Sequence, residues 1–394
     1  MNNVSSKYII AYRNKITNKL FGIVSVKHKG KKKGDFLLSF LTQPFTLAPN
    51  EVLSDQHINI WVPLEIARLF SERGYDVDIV NWNNLSFLPK KKYSACIDIH
   101  NNFERFGNLL PLSCVKIQFL MSSHWAFQNK AEEKRIHDLE KRKGVYFTGN
   151  RTLNPSHFEK FADYIIGLGN ETICSTYPIP ANKKITLVHP PIMEKFDFPK
   201  DKDFSAARTH FLWFGGGGSI LKGLDLVLEA FAELPHLKLT IVGPASYEKE
   251  FEKIYHKELS LPNITRYGRP RKNKSDKESM IGNATLYDTI KECGAIFGMS
   301  ASEGCSGAIL QAMEAGVYPI VTPNTGIDEE APSIILDDPT VESIKKTAEE
   351  FSKISPEKLR ELSKETWNYA ETHYTKKVFT EEMENFIDTV LKLS

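Results

Sequence analysis

Short apolar runs alternate with helical periodicity along most of this chain, and the alternation is interrupted only once. Phe36–Leu41, Asp76–Val80, Ala95–Ile99, Lys116–Met121, Val145–Phe147 and Tyr164–Ile166 each read as a strand. Between them, Ile60–Arg73 sets Trp61, Leu64, Ala67, Leu69 and Phe70 near one helical face and stops at Gly74. Gln128–Lys143 is rich in helix formers and ends at Gly144. Parallel neighbours need a crossover, which a helix supplies, so this rhythm predicts βαβ units and a mainly parallel sheet.

From Pro190 to Ser205 the rhythm breaks. Pro190, Pro191 and Pro199 stand among charged residues, the composition of an interdomain linker. Beyond it the alternation restarts, with strands at His210–Phe214, Lys238–Val242, Asn263–Tyr267, Ala295–Met299 and Tyr318–Val321. Helices are expected at Leu224–Leu234, Leu286–Lys291 and Gly307–Ala315, a polar basic loop over 269–283, and a nearly all-helical tail after residue 340. The expected fold class is α/β, with two Rossmann-like, doubly wound domains facing each other across a cleft. Ligands of such folds sit outside the carboxyl ends of the strands. A chain of 394 residues can hold two cores of this kind.

Composition narrows the function. A net charge of +2 gives no reason to expect a nucleic-acid partner. Cys96, Cys114, Cys174, Cys293 and Cys305 are scattered without a CxxC pair, which suggests neither a disulfide framework nor a zinc site and fits a reducing cytoplasm. No apolar run is long enough to span a bilayer. Residues 1–34 hold nine Lys and Arg and no Asp or Glu. Two readings stand for them: a solvated basic arm, or a segment lying on the inner membrane surface, since Tyr8, Ile9, Ile10, Ile16, Leu20, Phe21, Ile23 and Val24 interleave with the cations.

The stretch most informative for chemistry is Ser300-Ala-Ser-Glu303-Gly-Cys-Ser-Gly307. A buried strand precedes it and a helix follows, so exposed N–H groups around Ser306 to Ala308 form an anion site, with Glu303 in reach and Gln311 one turn inside. The second piece is the run Gly215, Gly216, Gly217, Gly218, followed by Lys222-Gly223 at a helix start. Glycines let backbone approach a phosphate, and a lysine adds charge. Alone, such a run is a tight strand-to-helix turn; beside the Glu303 loop it reads as the second wall of a phosphate site. Two further strands end at Gly243 and Gly268. Neither a P-loop nor a clean GxGxxG with its downstream acid is present, so a dehydrogenase is the weakest alternative. Asp337-Asp338 precedes Pro339 and reads as a turn, so no metal ligands are expected.

These motifs resemble those of GT-B glycosyltransferases, specifically the retaining group of family 4. Lys222-Gly223 matches the end of that group's G-R-x-x-x-x-K-G stretch. Ser300, Glu303, Gly304, Leu310, Ala312, Met313 and Gly316 match its S-x-x-E-G and L-E-A-M-A-x-G. The resemblance is specific over about residues 208–325. Two departures stand out: the group's arginine falls on Gly217, and its second glutamate on Gln311. The resemblance implies transfer of a sugar, with retention and without a metal or cofactor, from a UDP- or GDP-linked donor to a glycan or lipid-linked acceptor in polysaccharide biosynthesis. Glu303 would hold the donor sugar and Lys222 the diphosphate. Gly215–Gly218, Gly243, Gly268 and the Gly304, Cys305, Ser306 and Gly307 amides would line the donor site, with Gln311 on the ribose. It also implies an amino-terminal acceptor domain over 35–195, a donor domain over 206–375, and a last helix, 376–394, crossing back to the first domain.

In the amino half, His57, His100 and His124 fall where a parallel sheet exposes its carboxyl edge. The resemblance places His124 best for contact with the sugar, with His57 and His100 on the acceptor side; a histidine merely hydrogen-bonded at a strand end is the competing reading for each. The departures at Gly217 and Gln311 keep two alternatives open, a non-catalytic nucleotide-binding scaffold and a GT-B nucleotide-sugar epimerase.

Overall fold

Val, Ile, Leu and Phe fill most buried strand positions, as they must when helices cover both faces of a sheet. The computed structural model describes residues 13–47, 58–100, 102–243, 248–267 and 286–393. Among these, the first sheet comprises β1 (Ile23–Val26), β2 (Gly34–Phe40), β3 (Tyr75–Asn81), β4 (Tyr93–Asp98), β5 (Val115–Leu120), β6 (Tyr164–Leu168) and β7 (Ile185–Val188), in the order β1-β3-β2-β4-β5-β6-β7. Its pairs are parallel except β1, which runs antiparallel to β3 with Ile23 opposite Val80. The second sheet comprises β8 (His210–Phe214), β9 (Lys238–Val242), β10 (Ile264–Tyr267), β11 (Ala295–Gly298), β12 (Tyr318–Val321) and β13 (Ile334–Ile335). Its order is β10-β9-β8-β11-β12-β13, all parallel. Two doubly wound Rossmann-like halves result, joined by the largely irregular stretch after Val188.

Three expectations are corrected. Val145–Phe147 is not a strand. Gly144 caps the preceding helix in the left-handed region, Phe147 is buried in the second half's core, and the backbone beyond it bonds to side chains, with Thr148 N donating to Glu250 Oε2 at 3.1 Å. Part of the basic 1–34 stretch is built into the fold: residues 13–21 are helical, Asn14 Nδ2 donates to Phe45 O, and β1 pairs with β3. Charge outside and one buried residue, Val24, suffice for an edge strand. The strands β7 and β13 were not expected, being short and weakly patterned. Tyr8, Ile9, Ile10, His57, Gly268 and the 269–283 loop lie outside the described residues.

Two helices tie the halves together. Lys376–Leu393 returns to the first half and buries Phe379, Met383, Phe386, Ile387 and Val390 in its core. Trp125–Lys143 follows β5 yet sends one stripe into the second half: Arg135 Nη2 donates to Met299 O at 2.7 Å, and Arg142 pairs with Asp225 at 2.5 Å and with Glu229 at 3.0 Å. No described helix is long and apolar enough to cross a membrane.

Candidate functional site

β8 and β11 are neighbours in the second sheet, so the loops leaving their carboxyl ends are adjacent. The first presents Lys222 and the second Glu303, and Lys222 Nζ donates to Glu303 Oε1 in an ion pair whose two side chains are each 16% exposed. Ser300 Oγ adds a longer bond to the same oxygen, 3.4 Å. The two groups that sequence reasoning singled out thus converge, in an environment dry enough to strengthen their attraction.

The next helix, Gly307–Glu314, opens at this loop. Ser306 is its N-cap without a side-chain cap bond, and its first turn holds no acid. The N–H groups of Gly307 and Ala308 therefore point out of an uncapped end, and Gly307 is exposed. Such an end attracts negative charge. Cys305 is half-buried, and burial pushes its thiol well up, so it is no nucleophile.

The first half closes over the same loop. Ser123 N and Oγ donate to Glu303 O at 2.9 and 2.7 Å. Gly304 is packed so closely that a Cβ there would lie 2.1 Å from Met121 O, backbone against backbone. His124, one residue beyond Ser123, starts the Trp125–Lys143 helix, its N–H donating to Thr176 Oγ1 at 2.9 Å and its ring set against Trp125 and Tyr177. Burial lowers its pKa, which favours neutral imidazole at neutral pH. His100 instead stacks on Trp82 at 5.0 Å, and burial lowers its pKa too.

Two of the expected donor contacts have other partners. The amides of Gly218 and Ser219 hold the Glu248 carboxylate, with Ser219 N to Oε2 at 3.0 Å, so part of the glycine loop is already satisfied by a buried side chain. Gly216 remains open, Gly217 faces Glu248, and Gly243 packs on Gly215. Gln311 is buried, and both ends of its amide are engaged: Nε2 donates to Glu194 O at 2.7 Å, and Oε1 accepts from Glu194 N at 3.2 Å. It fastens the linker to the helix.

Sequence reasoning missed the stripe Gln128, Glu132, Arg135, Leu139 and Arg142. The signal was present, since these residues recur every three or four positions on one helical face, but their polarity reads as solvent-facing. It also missed His189, which directly follows β7 and is flanked by Glu382 at 2.6 Å on the returning helix and by Asp328 at 3.4 Å.

Residues 209–368 match the family model described as glycosyl transferases group 1. The chain is similar in structure to a sucrose-phosphate synthase from Thermosynechococcus elongatus, with TM-score 0.61, 13% identity, and coverage of 91% of this chain and 99% of that one. It is also similar to HepE of Anabaena in complex with UDP-glucose, with TM-score 0.53, 10% identity, and coverage of 90% and 99%. The pneumococcal O-GlcNAc transferase GtfA in complex with UDP and GlcNAc matches at TM-score 0.48 and 15% identity over 75% of this chain, which spans 57% of that protein's length. No curated protein matches the chain. The first two similarities establish the two-domain GT-B fold.

Proposed function

We propose that the whole chain transfers a sugar from a nucleoside-diphosphate donor to a glycan or lipid-linked acceptor, a reading supported by the match of residues 209–368 to the glycosyl transferases group 1 model. The observation that carries this reading is the Lys222–Glu303 pair beside an uncapped helix end, beneath the Ser123–His124 turn of the other half. Lys222 and the N–H groups of Gly307 and Ala308 suit the charge that develops on a departing diphosphate. Glu303 suits hydrogen bonding to sugar hydroxyls, and its departure from Lys222 on donor binding would free that ammonium. The UDP-glucose in the HepE structure supports a uridine-linked donor. The proposed outcome is retention at the anomeric carbon, with no divalent cation, because side-chain cations and a helix end face the phosphate charge.

Glu303→Ala and Lys222→Ala are expected to lower turnover with a panel of nucleotide sugars about 10²–10³-fold while circular dichroism is unchanged. Full activity in both variants refutes the assigned site. We further propose a cytoplasmic enzyme that touches the inner membrane surface through residues 1–34. The helix over 13–21 exposes Ile16, Leu20 and Phe21 among Lys15 and Lys19, which supports contact with anionic lipid. Equal sedimentation with anionic vesicles, with and without Leu20→Ser and Phe21→Ser, rejects it. A second reading, a non-catalytic nucleotide-binding protein, is favoured by Glu248 on the glycine-loop amides and by Gln311 on the linker. Binding of nucleoside diphosphates without turnover of any donor would select it.

A further inference from the structure

This inference rests on the transfer reading. We propose that Arg151, carried by the amino-terminal half, is a diphosphate-binding cation of the donor site. Lys222 is the ammonium at the site, and Glu303 pairs with it. A nucleoside diphosphate brings charge on both phosphates, more than one paired ammonium and a helix end offset.

Arg151 reaches the same turn. A Cβ on Gly218 would lie 2.8 Å from Arg151 Cγ, 2.9 Å from Cδ and 3.3 Å from Nε, so the side chain lies across the backbone of Gly218. Gly218, at φ 93°, requires a residue without Cβ there, and the arginine stem fills the space a Cβ would take. Its carbonyl accepts the N–H of Lys222 at 2.9 Å. Arg151 therefore approaches, from the opposite half, the turn that presents the lysine.

The competing reading is a solvated surface arginine, and the backbone argues against it. Asn150 N and Arg151 N both donate to Glu132 Oε1, at 2.9 and 2.8 Å, and Thr152 Oγ1 donates to Oε2 at 3.1 Å. Gln128 Nε2 donates to Arg151 O at 2.5 Å. Glu132 and Gln128 are each only 4% exposed. Gln128 Oε1 also accepts from Ser302 Oγ at 3.5 Å, next to Glu303. The contacts close a circuit: Arg151, Gln128, Ser302, Glu303, Lys222, Gly218 and back to Arg151. Two buried side chains spend their hydrogen bonds fixing the backbone of an exposed arginine, and among the described residues no carboxylate pairs with its guanidinium. A guanidinium on a fixed backbone, with its stem seated on Gly218, is suited to phosphate, which it meets with two parallel N–H bonds.

Calorimetric titration of the full chain with UDP, GDP, ADP, CDP and dTDP, and with the monophosphate of whichever base binds, tests this. Arg151→Ala should weaken the diphosphate about 10–100-fold, the range for losing a charge-assisted hydrogen bond. The monophosphate should lose less than about threefold, Arg151→Lys should fall between, and melting temperatures should stay equal. Unchanged diphosphate affinity in Arg151→Ala, with the parent binding, overturns the role of Arg151 and leaves the transfer reading standing. Equal loss for mono- and diphosphate also overturns it, assigning Arg151 a structural role. A parent that binds none of these nucleotides removes the transfer reading and this inference together.

Discussion

Arg142→Ala should destabilise the protein in a pH-dependent way, because the arginine pairs with a carboxylate that water does not reach. Asp225 is fully buried, and its second oxygen has no hydrogen-bond partner. Burial pushes its carboxyl up to about 6 from an ordinary 3.8, against the pull of Arg135 and Arg142. The sign follows. Between pH 3.8 and 6 the native chain keeps a proton that the unfolded chain has released, so stability falls as pH rises through that window and stays lower above it. Two units correspond to about 3 kcal/mol. Removing Arg142 deletes one of the two attractions that keep the ionised form tolerable, so the carboxyl rises further and the window extends toward neutrality. At pH 5 the variant should lose only about 1 kcal/mol, the Glu229 pair and the packing of the arginine stem. At pH 8 it should lose about 2–3 kcal/mol more, since an unpaired buried charge or its neutralisation must then be met. Urea denaturation of parent and variant at both pH values measures the difference. A loss that is the same at pH 5 and pH 8 refutes the reasoning, and with it the claim that this helix braces the halves through a buried charge.

Three further outcomes are expected. The Asp328 and Glu382 carboxylates push His189 up to about 10, so its contribution is fully present below its ordinary 6.5 and is lost as pH rises through 10. His189→Gln should therefore cost about 1–2 kcal/mol at pH 6, discounted for a third of the side chain being exposed, and much less at pH 10 by the same denaturation assay. Deleting residues 376–394 strips five large apolar side chains from the first half's core, so melting should drop by several degrees or split into two transitions; an unchanged profile argues against the return helix as a stabilising element. EDTA should leave donor hydrolysis intact, and its abolition by EDTA, with recovery on adding magnesium or manganese, would show that the protein's own cations and the helix end do not suffice.

The sequence by itself determined what is local. Alternating apolar runs and helical faces predicted the βαβ order and most strands to within a residue or two. Glycine stops located the end of the Trp125–Lys143 helix. The spacing from strand end to Glu303 to helix start marked a loop whose chemistry follows from helix-end polarity. Those signals survive because period and chain connectivity alone produce them. Only the tertiary structure decided the rest. Gln311 is a glutamine beside a loop in the sequence, and only packing shows its amide saturated by Glu194. The four glycines read as an open phosphate cradle until Glu248, thirty residues on, occupies two of their neighbouring amides. The polar stripe from Gln128 to Arg142 looked solvated because polarity reports cost of burial, not location; partners 83 to 174 residues away offset that cost. Which half's arginine meets the glycine turn is likewise a matter of how two separately folded sheets dock, a relation that no local pattern encodes.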